Sequence, residues 1–143
     1  MNNNNILYKD LSYTIIGIAF KVHSQLGCAL PEYCYSRALV HEFIKQNIPH
    51  THQKRHDVYY DNEYVGHFFT DLIIDNKIIL ELKSDIKITP NHYAQLFTYL
   101  RTTNFKVGYI INFGVRQLQF KRLILWWVFW FCVNQSFFVF IRA

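Results

Sequence analysis

From Leu11 onward the apolar residues Leu11, Ile15, Ile18, Val22 and Leu26 recur at helical spacing, which predicts a first helix with an apolar stripe along one side. Asp10 or Ser12 can serve as its N-cap, and Gly27 supplies the stop. Pro31 opens a second helix, Glu32 to Gln46, in which Tyr35, Leu39 and Phe43 form the stripe and which Asn47-Ile48-Pro49 ends. After Pro49 the pattern becomes extended. Strands are predicted at His52–Tyr60, Gly66–Ile74 and Ile78–Lys83, separated by the turn-rich Asp61-Asn62-Glu63 and Asp75-Asn76-Lys77. The runs Leu72-Ile73-Ile74 and Ile78-Ile79-Leu80 are continuously apolar, as in central strands covered on both faces. Thr89-Pro90 provides an N-cap and first residue for a third helix to about Arg101, and Val107–Asn112 and Leu118–Ile124 form two closing strands. The order is ααβββαββ, an α/β domain spanning residues 6–124.

The two ends depart from this pattern. Met1 to Asn5 is a polar Asn run that cannot repay its ordering entropy, so it is expected to fray. Leu123 to Val133 is an apolar run containing all three tryptophans, and after Asn134-Gln135-Ser136 a second apolar stretch reaches Ile141. The uninterrupted run is too short for a bilayer and the polar triplet falls inside the span, so residues 125–143 are expected to be an atypical aromatic extension. A membrane tether through 123–141, with Lys121 and Arg122 on the cytoplasmic side, is the weaker alternative.

A chain of 143 residues accommodates one such domain and not two. Lys and Arg outnumber Asp and Glu by 15 to 10, a basic excess that suits a polyanionic partner without requiring one. Cys28, Cys34 and Cys132 are odd in number and form no CxxC pair, and the N-terminus has no signal-peptide pattern, so a reducing cytoplasm is the expected setting.

The charged residues flanking the apolar runs carry the candidate chemistry. Asp71, Glu81 and Lys83 border segments expected to be buried, and burying such groups costs several kcal/mol each unless they are paired or hold a metal. Glu81 and Lys83, two apart, project from one face of the same strand. A three-residue loop at Asp75-Asn76-Lys77 sets Asp71 opposite Glu81; a two-residue loop without a bulge sets them on opposite faces. Two carboxylates that close repel as anions, and a hard divalent cation relieves the repulsion.

Asp71 followed by Glu81-Leu82-Lys83 resembles the D…ExK signature of the PD-(D/E)XK nucleases. Gln95 and Tyr99, four apart on one helix face, resemble the QxxxY motif of the subgroup related to recombination exonucleases. Residues 7–23, the Leu26-Gly27 turn and Lys106–Gly114 are similar to the small bacterial group called GxxExxxR proteins. In that group the naming glycine falls at Ala29 and the naming arginine at Ser36, with Arg37 one residue late, whereas Glu32 is retained. Ala29 lacks glycine's free choice of positive φ, so the turn into the second helix is expected to differ.

The resemblance implies a restriction-endonuclease-like three-layer fold, a mixed central sheet flanked by helices. It further implies metal-dependent hydrolysis of DNA or RNA phosphodiesters, with Asp71, Glu81 and Glu32 as ligands of Mg²⁺ or Mn²⁺. Lys83 would orient the attacking water, with Gln95 and Tyr99 in support. Lys54, Arg55, Lys87, Arg101 and Lys106 are the expected phosphate contacts.

Plainer readings stand beside each of these. Asp71, Glu81 and Lys83 could form a structural ion pair, Glu32 could favour a helix N-terminus, and Tyr99 could be a core tyrosine. The same fold could also be a catalytically silent module that binds nucleic acid or another protein. His50, His52 and His56 lack zinc spacing and are expected to be solvated strand-edge residues, with Cys28 and Cys34 buried or idle.

Overall fold

The computed structural model describes residues 6–125. The predicted tail 1–5, and the aromatic extension beyond Leu125 with its membrane alternative, lie outside the described residues. Eight elements follow the predicted order: α1 Lys9–Leu26, α2 Glu32–Lys45, β1 His50–Tyr60, β2 Glu63–Ile74, β3 Ile78–Lys83, α3 Pro90–Thr103, β4 Val107–Asn112 and β5 Gln119–Ile124.

Helix α1 stops where the sequence indicates, at Gly27 with φ 74°, whose N–H donates to His23 O. Its start differs. Tyr8 is the N-cap in a left-handed conformation, and neither Asp10 nor Ser12 caps the helix. Asp10 instead sits in the first turn, where its charge favours the helix dipole, and Ser12 is turned into the core. Thr89 caps α3 as expected, reinforced by His92, whose Nδ1 accepts the Thr89 N–H at 3.2 Å.

The five strands pair in the order β1-β2-β3-β4-β5, antiparallel except for the parallel β3–β4 pair that α3 connects. Two cores result. On one face, Ile15, Ile18 and Val22 of α1 and Leu39 and Phe43 of α2 pack on Leu72, Ile74, Ile78, Leu80 and Leu82. On the other, Leu96 and Leu100 of α3 pack on Ile73, Ile79, Ile110 and Leu123. This is the three-layer α/β/α arrangement expected, with β3 central. Strand β4 lies inside the sheet between β3 and β5, and all six of its residues are buried.

The hairpin β1–β2 is longer than predicted. The strands begin at His50 and Glu63, and only Asp61 and Asn62, both with positive φ, form the turn. Within β2, strand β3 pairs only with Leu72, Ile73 and Ile74, so among the described residues the outer part of this hairpin has no third strand beside it. The histidines are not merely solvated. His50 packs on Phe43, His52 Nε2 lies 2.8 Å from the buried Ser36 Oγ, and His56 Nε2 lies 3.1 Å from Thr70 Oγ1. Cys28 is exposed and Cys34 half-buried; both are free thiols.

Candidate active site

The loop between β2 and β3 decides the site. Asp75 and Asn76 take positive φ and the Lys77 N–H returns to Ile74 O, so three residues separate Ile74 from its partner Ile78. Backbone pairing ends at Leu72 with Leu80, and the next rung in that register brings Asp71 to Glu81. No backbone pair forms there. Asp71 Oδ2 accepts the Leu82 N–H at 2.8 Å, and the carboxylate stands in for the missing strand contact.

Glu81 is 4 % exposed. Its Oε1 accepts from Lys83 Nζ at 3.0 Å, while its Oε2 is buried without a protein partner among the described residues. Burial, reinforced by the Asp71 charge, pushes the Glu81 carboxyl up to about 7 despite the neighbouring ammonium. Burial likewise raises Asp71, against the pull of the Leu82 N–H and Lys83. For Lys83, burial opposes the charge, but the Glu81 carboxylate outweighs it and holds the ammonium above the usual lysine range. Two carboxylates strained toward neutrality, one with a buried unpartnered oxygen, fit a hard divalent cation, which would complete the coordination and restore both charges.

Glu32 lies exposed in the first turn of α2, where its charge acts on both Glu81 and Lys83. The described residues contain no group of three His, Cys, Asp or Glu side chains able to hold a metal, so the converging carboxylates are Asp71 and Glu81. Gln95 Nε2 donates to Tyr99 OH at 2.9 Å. Burial raises the Tyr99 phenol, and the charges of Glu81, Lys83 and Asp71 also act on it, so the tyrosine belongs to the same neighbourhood. Its ring stacks on Phe68 of β2, centroids 4.3 Å apart at 7°.

A support that sequence reasoning missed lies beneath Lys83. Asn112, fully buried and paired with Lys83 across β3–β4, accepts the Asp85 and Gly114 N–H groups at 2.9 and 3.0 Å and donates to Asp85 O at 2.9 Å. Asp85 also meets His92 Nε2 at 3.0 Å, which ties the loop after the Glu81-Leu82-Lys83 run to the start of α3. A Cβ at Gly114 would lie 2.3 Å from Asp85 O, so only glycine fits there. The signal available in sequence was an amide at the end of an apolar strand, two residues before a glycine.

At the entry to α2, Ala29 adopts the positive φ of 65° that glycine would take freely, a strained conformation for alanine. Ser36 is buried against His52, and Arg37 lies outside, its guanidinium 5.5 Å above the Tyr33 ring. Of the expected phosphate contacts, Arg55 is bound to Asp57 at 2.9 Å, and Lys54 and Lys106 line one shallow cleft with Lys77.

A mixed five-stranded sheet between helical layers, with an Asp and an Glu-x-Lys run meeting where the central strands part, defines a nuclease-like α/β protein. A family model of the PD-(D/E)XK nuclease superfamily matches residues 9–123, and the chain belongs to that superfamily. Its members are generally nucleases that use divalent metals such as Mg²⁺. No curated protein matches the chain. One solved structure it resembles, titled "Crystal structure of SSO0001", shares 16 % identity at a TM-score of 0.45, over 74 % of this chain and 61 % of that one. The chain thus spans about three fifths of that protein's length. Among the described residues no helix is long and apolar enough to cross a membrane.

Proposed function

We propose that this protein is a metal-dependent nuclease of the GxxExxxR group that hydrolyses phosphodiester bonds of DNA or RNA. The observation that carries the reading is Glu81: a carboxylate 4 % exposed, with one oxygen on Lys83 and the other buried and unpartnered, beside a second carboxylate at Asp71.

Asp71 and Glu81 would hold Mg²⁺ or Mn²⁺, with Glu32, whose charge acts on Glu81, as a further acidic ligand. The bound ion supplies positive charge that polarises the phosphate and acidifies a water. Lys83, held by Glu81, would orient the attacking water and offset negative charge developing on the phosphoryl oxygens. Tyr99 and Gln95 hold a hydrogen-bonding pair at the rim, and Asn112 and Asp85 keep the segment after Lys83 in place.

The test is incubation of the full chain with labelled single- and double-stranded DNA and RNA, with Mg²⁺, with Mn²⁺ and with chelator, beside Lys83→Ala. Metal-dependent cleavage that the substitution abolishes supports the reading. Absence of cleavage on every substrate, together with absence of metal binding by calorimetry, would replace it with a catalytically silent binding module.

A further inference from the structure

Among the described residues, the outer part of the β1–β2 hairpin has one face held and one face open. On the held face His56 stacks on Phe68, centroids 5.1 Å apart, and Phe68 stacks in turn on Tyr99 of α3. These contacts fix the arm to the helix that borders the carboxylates. On the open face a series of contacts runs along the arm. The Phe69 and His67 rings lie 5.5 Å apart, His67 Nδ1 is 2.8 Å from Tyr64 OH, and Tyr64 meets Tyr59 at 6.0 Å. Arg55 joins the row by donating to Tyr64 OH at 3.2 Å. Phe69, Tyr64 and Tyr59 are 51 %, 50 % and 62 % exposed, and none belongs to either core.

We propose that this row is a track on which the bases of a single-stranded nucleic acid stack on their way to the carboxylate site. The binding stands on the arm itself; only the fate of the bound strand rests on the nuclease reading.

Three observations favour this occupant. Half-exposed rings held in fixed positions offer π faces to unpaired bases, whereas bases in a duplex are already stacked and paired. The row begins at Phe69, two residues before Asp71 on the same strand, so one end of it lies roughly 7 Å along the strand from the site. The chain carries a net charge of +5, which suits a polyanion. Within the row, however, Asp57 accepts from Arg55 and neutralises it, so recognition there rests on ring faces and not on charge.

A second copy of the chain fits less well. Three half-exposed aromatic side chains present roughly 400 Å², about half of the ~800 Å² per partner that a stable interface buries.

The experiment is fluorescence anisotropy of the full chain in chelator, with labelled DNA and RNA single strands of about twelve nucleotides and a blunt duplex, on wild type, Phe69→Leu and Tyr64→Leu. Leucine retains apolar bulk at these half-exposed positions but removes the ring, and circular dichroism verifies the fold. Tyr59→Leu replaces either variant that fails to fold. Single strands are expected to bind more tightly than duplex, and each substitution to weaken them on the order of tenfold. The slope of affinity against salt should stay unchanged, because no phosphate contact is lost. Equal binding by wild type and variants, or a preference for duplex, overturns the track. A concentration-dependent dimer that the substitutions dissolve, seen by light scattering, overturns it in favour of a second copy. Because binding is measured without metal, a chain that binds strands this way and cuts nothing keeps the track and defeats the nuclease reading. Cleavage with variant binding unaltered does the reverse.

Discussion

Asp71 Oδ2 accepts the Leu82 backbone N–H at 2.8 Å, one rung past the last backbone pair of β2 with β3. The aspartate is therefore both a candidate metal ligand and a structural acceptor, and two substitutions separate the roles. Asp71→Asn keeps an acceptor and removes the repulsion with Glu81, so metal-free stability should match or exceed wild type while divalent binding is lost. Asp71→Ala leaves the Leu82 N–H unpaired and should cost about 1–3 kcal/mol in urea denaturation. Equal destabilisation by both would show that the hydrogen bond contributes nothing.

Glu81 gives a pH signature. Its carboxyl stands at about 7 in the fold and near 4.5 unfolded, so the folded state holds the proton more tightly. The associated penalty is absent below the unfolded value, grows as pH rises between the two, and is fully present above about 7. Glu81→Gln should therefore stabilise the metal-free protein by on the order of 1–3 kcal/mol near pH 8 and leave it unchanged near pH 4. Thermal unfolding at both pH values, in chelator, checks this. Adding Mg²⁺ should stabilise wild type and not the variant.

Ala29 occupies a left-handed conformation at φ 65° that costs an L-residue about 1–2 kcal/mol. Glycine pays no such strain but loses more chain entropy on folding, so Ala29→Gly should stabilise by about 0.5–1 kcal/mol. A fall in the denaturation midpoint would contradict the assigned strain.

Asn112 holds both backbone groups of Asp85 from a fully buried position. Asn112→Ala orphans these groups and should cost about 3 kcal/mol or more, with hydrogen exchange at the Asp85 N–H speeding well beyond the change at other amides. Gly114→Ala should be at least as severe, since its Cβ meets the Ser84 and Asp85 backbone within 2.5 Å. Uniform acceleration across the chain would show that the segment after Lys83 has no special dependence on Asn112.

Much of this protein is legible along the chain because its signals are local. Helical spacing marks α1 and α2, Gly27 and Thr89-Pro90 mark ends, and the turn residues at 61–62 and 75–77 divide the strands. The pairing of Asp71 with Glu81 was legible only conditionally, since it depended on a loop length that strand alternation by itself leaves open. Tertiary structure decided the rest, through contacts between residues far apart in sequence: His52 on Ser36, Phe68 on Tyr99, Asn112 beneath Asp85. It also showed that β2 starts before Gly66 and outruns β3, which among the described residues leaves a row of aromatic residues uncovered. The sequence by itself determined the kind and order of the elements and which carboxylates border the core, because periodicity and turn chemistry act over a few residues. Which of those carboxylates converge, which oxygen stays unpartnered and which aromatic face stays open depended on the packing of whole elements, whose register and reach no local pattern encodes.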